Sequence, residues 1–188
     1  MFDYYYKDQI SATDAKYEAQ KIAFAPLSFH AAKALRDMGI LDEICKARKK
    51  GITVSELSQK LNISLYGVGV LIEMGLGMGA IKLHKDSDES DLRLTLGKIG
   101  FFLLQDTMTQ VNMDFSEDIC YLGAEDLQES IRDGKPAGLK HLGNWKTVYQ
   151  GLHLRQGQQS FRHDRNDRYG SRGRQRTDEV QHCHPHQV

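Results

Sequence analysis

Thr53-Val54-Ser55-Glu56-Leu57-Ser58-Gln59-Lys60-Leu61-Asn62-Ile63-Ser64-Leu65-Tyr66-Gly67-Val68-Gly69-Val70-Leu71-Ile72 is the stretch that decides the fold of this chain. Thr53 and Glu56 stand at capping-box spacing, in which the hydroxyl accepts from the N–H three residues on and the carboxylate reaches back to the first. Val54, Leu57 and Leu61 then form one apolar stripe at helical spacing. Asn62-Ile63-Ser64 breaks that helix and caps a second one, which carries Leu65, Val68 and Ile72 on one face and runs to about Leu76. Two short helices meeting through a tight turn make a helix-turn-helix. Downstream, Ala80-Ile81-Lys82-Leu83 and the strictly alternating Leu92-Arg93-Leu94-Thr95-Leu96 have the pattern of strands, with a polar run over 84–91 between them. Helix-turn-helix followed by a two-stranded ribbon gives the expected fold class: mainly α, a winged helix-turn-helix with a small β-ribbon wing and flanking helices.

Upstream, Ser11-Ala12-Thr13-Asp14 caps a helix running toward Phe24 that Pro26 is expected to close. Leu27, Ala31, Ala34, Leu35 and Met38 mark a second, amphipathic helix stopped by Gly39. Asp42 opens a short third one ending in Lys46, Arg48, Lys49 and Lys50 before Gly51, where cations suit the negative end of the helix dipole. Beyond the wing, helices are expected over 98–104, 107–121 and 125–133, the last ended by Gly134 and Pro136. The sequence has no internal repeat.

The chain has 188 residues, 40% hydrophobic and 27% charged, values that exclude a collagen-like or wholly disordered protein. The 25 basic and 25 acidic residues cancel, but unevenly: through Gln150 there are 14 Lys and 4 Arg against 21 acids, and from Leu152 onward 7 Arg, no Lys and 4 acids. No run of 18 apolar residues occurs, and Met1-Phe2-Asp3-Tyr4 lacks the basic flank of a signal peptide, so a soluble cytoplasmic protein without a membrane partner is expected. Cys45, Cys120 and Cys183 are odd in number and far apart, which argues against a disulfide framework, and the helical apolar patterns around Cys45 and Cys120 predict buried thiols.

Phe24-Ala25-Pro26-Leu27-Ser28-Phe29-His30-Ala31-Ala32-Lys33-Ala34-Leu35-Arg36-Asp37-Met38-Gly39-Ile40-Leu41-Asp42, then Thr53-Val54-Ser55-Glu56-Leu57-Ser58, then Gly75-Leu76 before the wing, resembles the N-terminal dimerisation domain of class I S-adenosylmethionine-dependent O-methyltransferases. Gly134-Lys135-Pro136 through Trp145 is similar to the linker that leads into their catalytic domain. The resemblance covers roughly residues 10 to 150, and the order of the motifs is more specific than any one of them. It implies a homodimer built from the helices within residues 11–41 and a domain that closes over a small-molecule methyl acceptor. S-adenosylmethionine is then the cofactor of the complete enzyme, held by a following Rossmann-like domain. The expected plan is a helical dimerisation and winged-helix domain over 1–105, a helical linker over 106–150 toward an absent methyltransferase domain, and a disordered tail over 151–188. The implied function is the dimerisation and substrate-closing module of a methyltransferase, in truncated form without its own catalysis. The alternative is a winged-helix transcriptional regulator that binds DNA.

Glu73-Met74-Gly75-Leu76-Gly77-Met78-Gly79 has the acid and spaced glycines of a methyltransferase cofactor loop. Such a loop works at a strand-to-helix turn, and the nine residues after Gly79 are too short and polar for the crossover helix. The glycines are therefore expected to end the second helix and turn the chain into the wing, leaving this chain without a cofactor. No catalytic, cofactor-binding or metal-binding residue is assigned. His30 and His84 are isolated histidines with a partly buried or surface role, and Tyr4, Tyr5 and Tyr6 either pack on a partner subunit or fray. Met108, Met113, Phe115 and Tyr121 either line a substrate pocket of the complete enzyme or pack in the core.

Nucleic acid is not an expected partner. From Ser64 to Gly79 there is no Lys or Arg and the only charge is Glu73, while the wing sets Asp86, Asp88, Glu89 and Asp91 against Lys85. A recognition helix needs donors for base edges and cations for phosphates. Beyond Gly151 only 7 of 37 residues are apolar, too few to offset the entropy of ordering. The simultaneous loss of lysine, hydrophobicity and resemblance predicts a shifted reading frame or other foreign sequence. Two competing readings are an arginine-glycine RNA-binding segment at Tyr169-Gly170-Ser171-Arg172-Gly173-Arg174 and a weak metal site at His182-Cys183-His184-Pro185-His186.

Overall fold

The Ser11 hydroxyl accepts the Asp14 N–H at 3.1 Å and opens helix α1 (Ala12–Asp37), which does not stop at Pro26 but runs through it. The expected break is corrected here by exposure. Proline removes the N–H that would bond the Ile22 carbonyl, but residues 18–27 are all exposed, so water can take that bond. Only the C-terminal part of α1 is buried, through Ala32, Lys33 and Leu35. The computed structural model describes residues 9–150, in two compact units that divide in sequence between Asp106 and Thr107.

In the first unit, α2 (Ile40–Ala47) starts directly after Gly39 rather than at Asp42, and buries Ile40, Leu41, Ile44 and Cys45. A strand absent from the sequence reading follows, β1 (Ile52–Thr53). Two residues are too few to show alternation. The capping box at Thr53 forms as expected: the Glu56 N–H donates to Thr53 Oγ1 at 3.2 Å and the Thr53 N–H to Glu56 Oε2 at 2.8 Å, opening α3 (Val54–Leu61). Ser64 accepts the Gly67 N–H at 3.1 Å and opens α4 (Leu65–Gly77). Strands β2 (Ile81–Leu83) and β3 (Arg93–Leu96) follow, then α5 (Lys98–Gln105). The sheet is antiparallel in the order β1-β3-β2, with Leu94 opposite both Ile52 and Leu83, so the expected ribbon has a third strand. Leu35, Ile40, Leu41, Ile44, Leu57, Val68, Ile72, Ile81 and Leu94 are fully buried in one core, each contributing about 1.5–3 kcal/mol by burial.

Asp91 ties the hairpin to the helix-turn-helix. Its Oδ1 accepts the Ser55 N–H in the first turn of α3 at 3.1 Å, so it is a long-range helix cap rather than a free charge of the wing. Burial acts to raise the Asp91 carboxyl, but the bonds from Ser55 and Thr53 outweigh it and hold the group below the ordinary carboxylate range. A carboxyl lowered on folding contributes stability above its unfolded value of about 3.9 and loses it as pH falls through the folded value. Asp91→Ala should therefore cost about 1 kcal/mol at pH 7, and the gap from the parent should close toward pH 2. Urea midpoints across that range check this; a gap that widens on acidification would contradict it.

The second unit begins with α6 (Thr107–Phe115), continues through a π-helical turn (Ser116–Cys120) into α7 (Tyr121–Ala124), and ends with α8 (Leu127–Asp133) and a 3₁₀ turn (Ala137–His141). The wider π turn interrupts the continuous helix expected over 107–121 and buries Ile119, leaving Cys120 exposed where a buried thiol was expected. Cys45 is buried, as the apolar pattern around it implies. Asp126 holds the end of this unit together, with Lys140 Nζ at 3.0 Å and His141 Nε2 at 2.6 Å. Among the described residues no helix is long and apolar enough to cross a membrane. Tyr4, Tyr5, Tyr6, Cys183, the arginine-glycine segment, the histidine cluster and the tail from residue 151 lie outside the described residues.

Candidate dimerisation surface

The N-terminal half of α1 has no core to bury against, yet it is rich in apolar side chains: Tyr17 is 61% exposed, Ile22 77%, Phe24 54% and Leu27 60%. Tyr17 and Phe24 are seven residues apart, two turns, and Leu27 lies three further, so these three share a face. Ala15, Ala19 and Ile22, at spacings of four and three, occupy a roughly opposite face. Between them runs a narrow polar strip in which Lys21 pairs with Glu18 at 2.8 Å. A helix apolar on opposite sides is normally enclosed. Sequence reading placed the self-association in residues 11–41 but did not single out Tyr17 or Ile22, because no strong amphipathic period distinguishes them; the signal was apolar residues on every face.

Where α1 joins the core, its last turn is fixed by charge. Lys33 is buried and bonds Asp37 Oδ2, and Arg36 Nε donates to Asp37 Oδ1 at 2.8 Å. Burial acts to raise the Asp37 carboxyl, and the Lys33 and Arg36 bonds outweigh it, leaving the group lowered. The projecting half of α1 is thus anchored at one end by packed leucine and an ion cluster.

The glycine run forms no cofactor loop. Gly75 and Gly77 lie inside the last turn of α4, and Gly79, with φ +71°, turns the chain from helix into β2. This is a helix-to-strand junction, the reverse of what a phosphate or nucleoside cradle uses. Gly75 is needed for packing, since a Cβ there would lie 2.6 Å from Ile81 Cδ1, whereas a Cβ at Gly77 meets nothing within 4 Å. Gly75→Val should destabilise the first unit by about 2–3 kcal/mol while Gly77→Val leaves its thermal midpoint within a few degrees. Equal effects in a thermal melt would refute the packing role.

The other expected candidates are scattered. His84 is set by two partners, Nε2 bonding the Lys49 carbonyl at 3.0 Å and Nδ1 accepting the Asp86 N–H at 3.1 Å, which assigns the proton to Nε2. It fastens the hairpin to the 3₁₀ turn Arg48–Lys50 that follows α2. His30 is exposed and stacks edge-on against Phe29. Met113 is buried, whereas Met108 (67% exposed) and Phe115 (42% exposed) face outward on α6, and Tyr121 is half-buried at the start of α7. No group of three His, Cys, Asp or Glu side chains among the described residues could hold a metal ion. On α4, at the position of a recognition helix, Leu65, Tyr66 and Val70 are exposed together with Glu73, a surface without cations.

Residues 16–88 match the family model of the Dimerisation2-like domain. Among solved structures the chain is similar to the S-adenosylmethionine-dependent methyltransferase SibL in its apo form, with a TM-score of 0.54 and 19% identity over 72% of this chain and 43% of that one. It is also similar to human N-acetylserotonin methyltransferase (ASMT) in complex with SAM, with a TM-score of 0.60 and 13% identity over 81% of this chain and 43% of that one. At these identities the likeness shows the fold. The chain spans less than half the length of either structure. No curated protein matches in sequence.

Proposed function

We propose, from the match of residues 16–88 to the Dimerisation2-like domain, that this chain acts as the dimerisation and substrate-closing module of an S-adenosylmethionine-dependent O-methyltransferase-like system. The observation that carries this reading is the projecting half of α1, whose Tyr17, Ile22, Phe24 and Leu27 are exposed at the edge of a well-formed core. Pairing of two chains through α1 and α2 would enclose it, with well over the ~1,000 Å² that marks a stable interface. In this reading residues 1–105 are the dimerising winged-helix domain, residues 106–150 are a helical linker, and a small-molecule methyl acceptor is the ligand over which the module closes. The outward face of α4, which carries no cation and one acid, and the engagement of Asp91 as a cap favour this reading over a DNA-binding regulator.

Sedimentation of the full chain at tens of micromolar should give a dimer, and a monomer would overturn the reading. Calorimetric titration with S-adenosylmethionine should show no binding. Micromolar binding that disappears in Gly77→Val would instead place the cofactor on the glycine run.

A further inference from the structure

The outward face of α4 combines three features. Leu65 (56% exposed), Tyr66 (83%) and Val70 (42%) make it apolar. Gly69 and Gly77 leave open space where side chains would stand, with no atom within 4 Å of either Cβ position. Glu73 is the one charge on the helix, exposed and without an ion-pair partner among the described residues. Ridges of side chains flanking small residues form a groove into which a second helix packs at close range.

The projecting half of α1 has the complementary character. Lys16, Ala23 and Leu27, at spacings of seven and four, lie on one stripe, with Phe24 beside it. Lys16 is exposed and, like Glu73, has no ion-pair partner among the described residues, whereas the neighbouring Lys21 is held by Glu18. We infer that the α4 face, the position of a recognition helix in the fold, is the dock for the projecting half of α1 from a second copy of this chain. Lys16 pairs with Glu73 there, its long side chain bridging the offset, and Phe24 packs over one of the two glycines, each about 6 Å along the helix from Glu73. The inference rests on the dimer reading above and adds which surface receives the helix. It also accounts for an apolar recognition position carrying an acid, since a cationic one would repel Lys16.

The test is analytical ultracentrifugation of the full chain with surface variants. All of these sites are exposed in the single chain, so far-UV circular dichroism should stay unchanged. Tyr66→Asp should raise the dimer dissociation constant at least tenfold and Glu73→Lys about three- to tenfold. The double variant Lys16→Glu/Glu73→Lys should return to within about twofold of the parent, because the swapped pair restores attraction. A monomeric parent would sink the dimer reading itself. A dimeric parent that is indifferent to Tyr66→Asp and Glu73→Lys would overturn only the docking site. Weakening by both single variants without rescue by Lys16→Glu would overturn the assignment of α1 as the occupant.

Discussion

Gly100→Val should abolish the folded state of the first unit at 37 °C. Gly100 lies in the first turn of α5, and a Cβ on it would collide with the carbonyl oxygen of Ala80 and come within 2.9 Å of Leu96 Cδ1. Ala80 cannot retreat. Its carbonyl accepts the Gly97 N–H at 2.9 Å and its own N–H donates to the Gly75 carbonyl at 2.9 Å, so both sides of the peptide are fixed, and the residue is fully buried. Overpacking a flexible core site costs about 1–3 kcal/mol, and collision with immobile backbone lies above that range. Marginal domains have about 5–15 kcal/mol in total. The measurement is the urea midpoint of Gly100→Ala, expected to fall by about 3 kcal/mol or more, with Gly100→Val lacking a cooperative transition. An unchanged midpoint for Gly100→Ala would mean that α5 does not rest on Ala80 as described.

In the proposed pairing of two chains, Phe24→Asp should leave a folded monomer. Phe24 is 54% exposed in the single chain, so its loss costs the fold little, whereas a carboxylate buried in a helical interface leaves an unpaired charge in apolar surroundings. A loss of about 3 kcal/mol or more corresponds to at least a hundredfold rise in the dissociation constant. Sedimentation should then show a monomer at tens of micromolar, with circular dichroism like the parent. A dimer as tight as the parent would place the interface elsewhere.

The parts of the fold legible in the sequence are those decided within a turn of the chain. Thr53 with Glu56, Ser64 with the Gly67 N–H, and Gly134 at the end of α8 each act over three or four residues, and the structure has them as the sequence implies. What the sequence concealed depends on distant partners or on solvent. Pro26 stays within α1 rather than ending it because its effect on the helix depends on whether water reaches the Ile22 carbonyl. Strand β1 exists because Ile52 meets Leu94, a partner forty-two positions away. Asp91 looked like a repulsive surface acid and is a cap for Ser55, thirty-six positions away. The candidate surface was only half legible. The segment was located by its helical residues, but Tyr17 and Ile22 acquire meaning only when the core is seen to end before them.

The unbroken course of α1 through Pro26 has a mechanical consequence. From Leu35, fixed in the core, to Ala12 the helix spans roughly 35 Å at about 1.5 Å per residue. A hinge at residue 26 would let the distal half swing independently. A continuous rod instead acts as a lever, so a tilt of about 5° at Leu35 displaces the far end by about 3 Å, more than half the rise of one helical turn. Any rearrangement of the core around Leu35, Ile72 and Ile81 is thereby amplified and delivered to the surface where a second chain would grip.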